Sequence, residues 1–218
     1  MMEAKKNFDS VASVYDQLAR LVFGKAIDRA QDCLLDQIPP LATVLIFGGG
    51  SGRVAEQVLL TNPQAKITYI EASQKMLDLT KDRLKDFPHS QVDLILGSEQ
   101  FLLKFHDQFD VVITQFILDV YERADLQKVM ALIDQSLKQS GKWIFADFIL
   151  SSRWYRRWWQ WLLVKIMYLF FAITAGLQAR SLLDFRANFN DLGWEVKECK
   201  LFYADMISAC VFEGIRRP

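Results

Sequence analysis

Gly48, Gly49, Gly50 and Gly52 follow directly on the apolar run Val44-Leu45-Ile46-Phe47, and an acid, Glu71, stands nineteen residues beyond Gly52. Closely spaced glycines at the end of an apolar run read as a strand that turns sharply into a helix, with backbone N–H groups left open to a ligand. An acid at that distance, closing a second apolar run, falls where a ribose would present its hydroxyls. The chemistry implied is the holding of a nucleoside-containing cofactor. The glycines form G-x-G-x-G, and the third glycine of the dinucleotide pattern G-x-G-x-x-G would fall at position 53, which is Arg53. The phosphate loop G-x-x-x-x-G-K-[ST] is absent as well. Two further acids, Asp119 and Asp147, fall after the exit of one later apolar run and at the end of another, where open α/β sheets bind their ligands. Each could take a proton there, although a helix cap or a surface charge is the plainer reading.

The elements that must position these residues alternate. Apolar runs at about Thr43–Phe47, Lys66–Glu71, Val92–Leu96, Phe109–Gln115 and Gly141–Phe148 read as strands. Helical segments fall between them at about Ser51–Leu60, Gln74–Phe87 and Glu122–Gln139. Such alternation implies right-handed βαβ units and a mostly parallel sheet covered on both faces. Asn62-Pro63, Pro88 and Ser140-Gly141 supply the turns. Ahead of this core, Phe8–Ile38 predicts one or two helices closed by Pro39-Pro40. Behind it come a long aromatic helix, about Ser152–Leu177, and a short one around Ser181–Asn190. The last two strands, Trp194–Tyr203 and Met206–Glu213, are so close that they should form an antiparallel hairpin.

The bulk numbers narrow the field. A chain of 218 residues, 51% apolar, is most simply one domain with a sizeable core. Lys plus Arg and Asp plus Glu are equal at 26 each, which gives no field to attract phosphate backbones and makes nucleic acid a poor partner. Cys33, Cys199 and Cys210 are odd in number and scattered, which suits a reducing compartment and argues against a disulfide scaffold. His89 and His106 read as surface residues, and with no Cys-x-x-Cys pair no metal is expected. Met1–Ser10 carries Glu3, Lys5, Lys6 and Asp9 and lacks the apolar core of a signal peptide.

A glycine turn with a ribose acid but no pyrophosphate fingerprint points to S-adenosylmethionine. At this point the chain resembles a class I S-adenosylmethionine-dependent methyltransferase. Phe8-Asp9-x-x-Ala12-x-x-Tyr15-Asp16 resembles the opening motif of the ubiquinone/menaquinone C-methyltransferase-like group. Val44–Gly52 matches the first cofactor motif, and Ile70-Glu71-Ala72-Ser73-Gln74-Lys75-Met76-Leu77 the second. Phe109–Thr114 with Gln115-Phe116-Ile117-Leu118 matches the fourth strand and its exit, and Leu137–Lys142 the turn before the fifth strand. The resemblance implies a Rossmann-like seven-stranded sheet with a C-terminal antiparallel hairpin and helices on both faces. It assigns the cofactor to Tyr15, Gly48, Gly49, Gly50, Gly52, Glu71, Ala72, Met76, Ser98, Glu99 and Gln115, with Tyr15 in a lid. Two departures stand out. Ile46 replaces an acid that helps hold the cofactor's amino group, and Gly97-Ser98-Glu99 replaces Gly-Asp-Ala.

The organisation expected is a single methyltransferase domain over 1–218, with a helical lid (1–40), a cofactor-binding core (41–150), substrate-cover helices (151–192) and a terminal hairpin (193–218). The cover segment, with Arg153, Arg156 and Arg157 beside Trp154, Trp158, Trp159 and Trp161, approaches a membrane span in length. A single crossing there would part the hairpin from its sheet. A helix over the open end of the sheet, a homodimer contact and an interfacial membrane anchor remain as its readings. The expected function is methyl transfer to a small hydrophobic or aromatic acceptor by a cytoplasmic protein, with peripheral membrane contact as the alternative location. The alternatives are cofactor binding without turnover, as a partner- or membrane-associated module, and, more weakly, a nicotinamide oxidoreductase.

Overall fold

The computed structural model describes residues 23–149 and 185–214. Tyr15, the opening motif, the aromatic segment and the start of the second short helix lie outside the described residues. Within them the elements run α1 (Ala26–Asp32), β1 (Thr43–Phe47), α2 (Arg53–Thr61), β2 (Lys66–Glu71), α3 (Gln74–Arg83), β3 (Val92–Leu96), β4 (Phe109–Gln115), α4 (Arg123–Ser136), β5 (Leu137–Phe148), α5 (Phe185–Asp191), β6 (Trp194–Phe202) and β7 (Ile207–Gly214). The seven strands form one sheet in the order β3-β2-β1-β4-β5-β7-β6. β3, β2, β1, β4 and β5 are parallel, whereas β7 pairs antiparallel with both β5 and β6. This is the Rossmann-like sheet with a terminal hairpin that the resemblance implied.

Alternation along the strands divides the core into two layers. Val44 and Ile46 of β1 face one side, packed with Val54, Ala55 and Val58 of α2 and with Leu34 beyond α1. Leu45 and Phe47 face the other, packed with Val129, Met130 and Ile133 of α4 and with Phe185 and Phe189 of α5. On that second side Phe189 stacks on Phe212 at 3.7 Å between ring centroids, and Trp143 Nε1 donates to Thr114 Oγ1 at 2.8 Å.

Two boundaries differ from the sequence reading. α3 ends at Arg83, where Leu84 N bonds back to Thr80 O, rather than continuing to Phe87. α4 ends at Ser136, and β5 begins at Leu137 instead of Gly141. The reason is a local detour. Leu137 pairs with Phe109, the next partners are Val111 and Lys142, and Lys138–Gly141 form a bulge between them. A side chain at Gly141 would strike the Leu137 side chain and the Lys138 carbonyl, so the glycine lets the detour close. Lys138 then bonds Asp110 Oδ1 at 2.7 Å, a contact no helical continuation would allow.

The cysteine expectation also changes. Cys199 and Cys210 lie far from any Cys-x-x-Cys spacing, but the β6–β7 register sets them directly opposite one another, and the pair is closed as a disulfide. Cys33 is free. No helix among the described residues is long and apolar enough to cross a membrane. No group of three or more acidic, His or Cys side chains among them could hold a metal ion.

Candidate functional site

The site is built at the carboxyl ends of β1, β2, β3 and β4, around the turn that joins β1 to α2. Gly48, Gly50 and Gly52 adopt positive φ of 67°, 65° and 82°. The turn is boxed in on three sides and open on one. A β-carbon at Gly48 would strike Ile117, one at Gly49 would strike the Tyr69 ring, and one at Gly52 would strike Thr80. A β-carbon at Gly50 would meet nothing within 4 Å. The backbone there is bare on the side where a ligand can approach it.

Buried side chains fix this turn. Tyr69, wholly inside the core, donates its hydroxyl to Gly50 O at 2.8 Å and accepts Gly52 N–H at 3.1 Å. Thr80 Oγ1 also reaches Gly50 O, at 3.0 Å, and Arg83 Nε bonds Ser51 O at 2.9 Å. Burial pushes the Tyr69 phenol above its ordinary range, so it stays a neutral donor. Reading the sequence missed Tyr69 and Thr80. The available signal was a tyrosine inside a buried strand, since a buried phenol needs a hydrogen-bond partner.

Glu71 is 9% exposed and holds two backbone groups. Oε2 accepts Gly50 N–H at 3.0 Å and Oε1 accepts Ser73 N–H at 2.9 Å. Its carbonyl accepts Gly97 N–H at 2.9 Å, which ties the exit of β3 to that of β2. The acid read as a ribose ligand is therefore also a clamp on the glycine turn. A carboxylate oxygen has a second lone-pair direction, so the two roles are compatible. Ser98 and Glu99 follow Gly97, both half-buried. Tyr121 donates its hydroxyl to Glu99 Oε2 at 3.4 Å. Burial first, and then the Glu99 and Glu71 carboxylates, push the Tyr121 phenol up. Tyr121 carried no motif and was not anticipated. Met76 is buried in α3 and its N–H is capped by Ser73 Oγ at 3.2 Å, while Ala72 is exposed at the exit of β2.

Ile46, Arg53 and Gln115 each acquire physical content. Ile46 is 1% exposed and packs into the α2 layer, so that position offers a ligand no polar atom. Arg53, where the dinucleotide pattern has glycine, forms a two-armed bond with Asp32 at 2.8 and 2.6 Å and a 3.2 Å ion pair with Asp28. It thereby ties α1 to the start of α2. Gln115, at the exit of β4, is 7% exposed and donates Nε2 to Gln31 O at 3.0 Å, while its Oε1 is buried with no hydrogen-bond partner among the described residues.

The two candidate proton carriers come together as neighbours. Asp147 is fully buried at the end of β5, its Oδ1 accepts Phe148 N–H at 2.8 Å, and its Oδ2 has no partner meeting hydrogen-bond geometry. Burial first, and the charge of Asp119 second, raise this carboxyl well above the usual carboxylate range. Asp119 lies in the short 3-10 turn Leu118–Val120, half-buried. Of the two, only Asp119 has surface that a second substrate could touch. Beside them, at the carboxyl ends of β4 and β5, Phe116 and Phe148 lie 5.1 Å apart and Phe23 packs on Phe148 and Tyr203 at 4.9 and 4.8 Å. Phe116 holds a φ of 56° at this bend, a strained conformation for a bulky side chain.

Residues 44–141 match a family model described as a methyltransferase domain. A demethylmenaquinone methyltransferase of Thermotoga maritima is 28% identical over 150 residues, 67% of this chain and 62% of that protein. One of Chlamydia pneumoniae is 30% identical over 95 residues, 42% of this chain and 41% of that protein. The chain therefore spans less than two thirds of the curated relatives it matches. Among solved structures, an O-methyltransferase family protein from Burkholderia thailandensis superposes with a TM-score of 0.70 at 13% identity, covering 95% of this chain and 59% of that one. The mitomycin 7-O-methyltransferase MmcR gives 0.64 at 18% identity, covering 87% and 54%. At such identities these two show a shared fold.

Proposed function

We propose that the chain, whose residues 44–141 match a methyltransferase-domain family model, is a class I S-adenosylmethionine-dependent methyltransferase resembling the menaquinone C-methyltransferase group, and that it methylates a small hydrophobic or aromatic acceptor. The observation that carries the cofactor assignment is the bare face at Gly50, clamped from behind by Glu71 and Tyr69. S-adenosylmethionine supplies an activated sulfonium methyl group. The chain's own work is then to hold, align and keep water away. The glycine turn gives a close backbone approach, Glu71 accepts from the ribose hydroxyls, and Glu99 and Tyr121 bound the adenosine side. Asp119 is the group placed to accept a proton where the acceptor must lose one. Behind it, burial and the charge of Asp119 raise the Asp147 carboxyl and so disfavour a second charge there.

The aromatic rings at the ends of β4 and β5 support an apolar, ring-bearing acceptor, and a demethylated quinone of the kind named for the two relatives is the first to test. A cytoplasmic location, with contact to a membrane or a second copy through the segment around residues 152–177, belongs to the same proposal. The equal charge balance supports the absence of a nucleic-acid partner. Titration calorimetry with S-adenosylhomocysteine should give saturable binding that nicotinamide dinucleotides do not. Glu71→Ala should weaken it about ten- to a hundredfold, for the loss of charge-assisted hydrogen bonds contributing roughly 1.5–3 kcal/mol. Unchanged affinity in a folded variant would overturn the assignment of Glu71. Tight cofactor binding with no turnover on quinone or hydroxylated aromatic acceptors would favour the binding-only reading.

A further inference from the structure

The sheet ends in β6 on one side and β3 on the other, and these two outer strands are built differently. β6 carries Glu195, Lys197, Glu198 and Lys200, and its register slips at a bulge between Val196 and Glu198. Charges and a bulge are devices that keep an outer strand from pairing with another chain. In β3, Val92-Asp93-Leu94-Ile95-Leu96, Asp93 is the only charge, and the register with β2 is unbroken. Strands of a parallel sheet are normally covered on both faces. Here Val92, Leu94 and Ile95 are only half-buried and Leu96 is 41% exposed.

Backbone direction decides what β3 offers. The Gly97 N–H bonds the Glu71 carbonyl, so by alternation the N–H and C=O groups of Ile95 and Asp93 also point toward β2. Those of Val92, Leu94 and Leu96 point outward, and no hydrogen bond to them occurs among the described residues. Outward residues spaced by two and centred on Leu94 are complementary to themselves. About a two-fold axis at Leu94, a second β3 runs antiparallel to the first, and Leu94 exchanges both its bonds with Leu94 of the second copy. Val92 exchanges both of its own with Leu96 of the second copy, and Leu96 with Val92, so no outward group is left over.

Charge agrees with this pairing. Asp93 falls opposite Ile95 of the second copy, so the two acids do not face each other. Lys plus Arg and Asp plus Glu balance at 26 each, and no net charge holds two copies apart. A two-fold seam consumes both β3 strands, and the outer strands that remain are the charged, bulged β6, so assembly stops at two.

We infer that β3 is an interface between two copies of this chain, joined antiparallel across Leu94 into one sheet that runs through both. This goes beyond the cofactor reading and does not depend on it. The surface is distinct from the segment around residues 152–177. A single strand pair buries less than a standard interface, so the association is weak, with a dissociation constant on the order of tens of micromolar.

The test is sedimentation velocity over a concentration series spanning that value, with amide hydrogen exchange on the same samples. A reversible dimer should form. As it does, the amides of Val92, Leu94 and Leu96 should become protected, while those of Asp93 and Ile95 are protected throughout. Leu94→Pro removes an outward donor without costing a bond to β2, and it should weaken association about tenfold or more. Leu96→Lys, which puts a charge on the most exposed side chain of the seam, should do the same. A monomer at every concentration overturns the inference. A dimer whose Leu94 and Leu96 amides still exchange freely is joined elsewhere and overturns it too, as does growth beyond two copies. Should Leu94→Pro fail to fold, Leu96→Lys and the exchange pattern of the unchanged chain decide, and unaltered association in folded Leu96→Lys counts against the seam.

Discussion

Gly50 is the residue at which backbone conformation and ligand access separate most cleanly. Its φ of 65° disfavours any side chain, yet a β-carbon would touch no protein atom. Gly50→Ala should therefore fold with stability lowered by about 1–2 kcal/mol, the cost of a left-handed residue, and no steric penalty beyond it. The added methyl should obstruct the cofactor, so S-adenosylhomocysteine affinity should drop by more than about tenfold, a loss of roughly 1.4 kcal/mol or more. Thermal melting and calorimetry on one sample measure both, and retained affinity would move the cofactor away from the turn. At Asp147 the expectation concerns pH. Its carboxyl is raised in the folded chain by burial and then by Asp119, against an unfolded value near ~4. Between those values the folded state holds more protons than the unfolded state, so this group's contribution to stability declines as pH rises through the window. Asp147→Asn should flatten that decline in urea midpoints collected from about pH 4 upward. A slope equal to that of the unchanged chain would mean that Asp147 is not the group responsible. Glu71 was legible because its spacing from the glycines is local in sequence. Tyr69, Thr80 and Tyr121 were not, because each acquires its role only when a neighbouring strand or helix brings it a partner.

Among the elements, the limits of β1, β2, β3 and β4 coincide with the apolar runs, and β1 and β3 are each closed by a glycine, Gly48 and Gly97. The junction of α4 and β5 was misread for a specific reason. Leu137-Lys138-Gln139 continues a helical pattern, and only the pairing of Leu137 with Phe109 opposes it. The cysteines teach the same lesson, for the hairpin was anticipated but its register was not, and register is what sets Cys199 against Cys210. Arg53 looked like a mere interruption of a glycine pattern, yet its ion pairs hold α1 to α2. A packing residue far from the cofactor gives the contrast. Phe189, fully buried in α5 against Phe212 and Trp143, should cost about 3–5 kcal/mol as Phe189→Ala. At a temperature where this variant is folded, its S-adenosylhomocysteine affinity should equal that of the unchanged chain. A large loss of affinity would show that α5 shapes the cofactor site.

For the whole molecule, the sequence reading of residues 152–177 as an aromatic cover, which lies outside the described residues, leads to an expectation about Trp158 and Trp161. Replacing both by Ala should impair turnover on a hydrophobic acceptor while cofactor affinity remains close to that of the unchanged chain, because the proposed cofactor contacts are at the glycine turn and Glu71. Release from lipid vesicles with turnover preserved would instead identify an anchor, and joint loss of stability, affinity and turnover would identify core. The position of β7 has a consequence of a different kind. In chain order β7 is the last of the seven strands, but in space it lies between β5 and β6. During synthesis the first five strands can pair as they emerge, while β6 arrives with no neighbour beside it. Until β7 follows, Lys142–Phe148 present an unsatisfied row of amides and carbonyls to the surroundings. The nascent protein is therefore most vulnerable to adhesion in the interval when β6 has emerged and β7, the strand that seals the sheet, has yet to leave the ribosome.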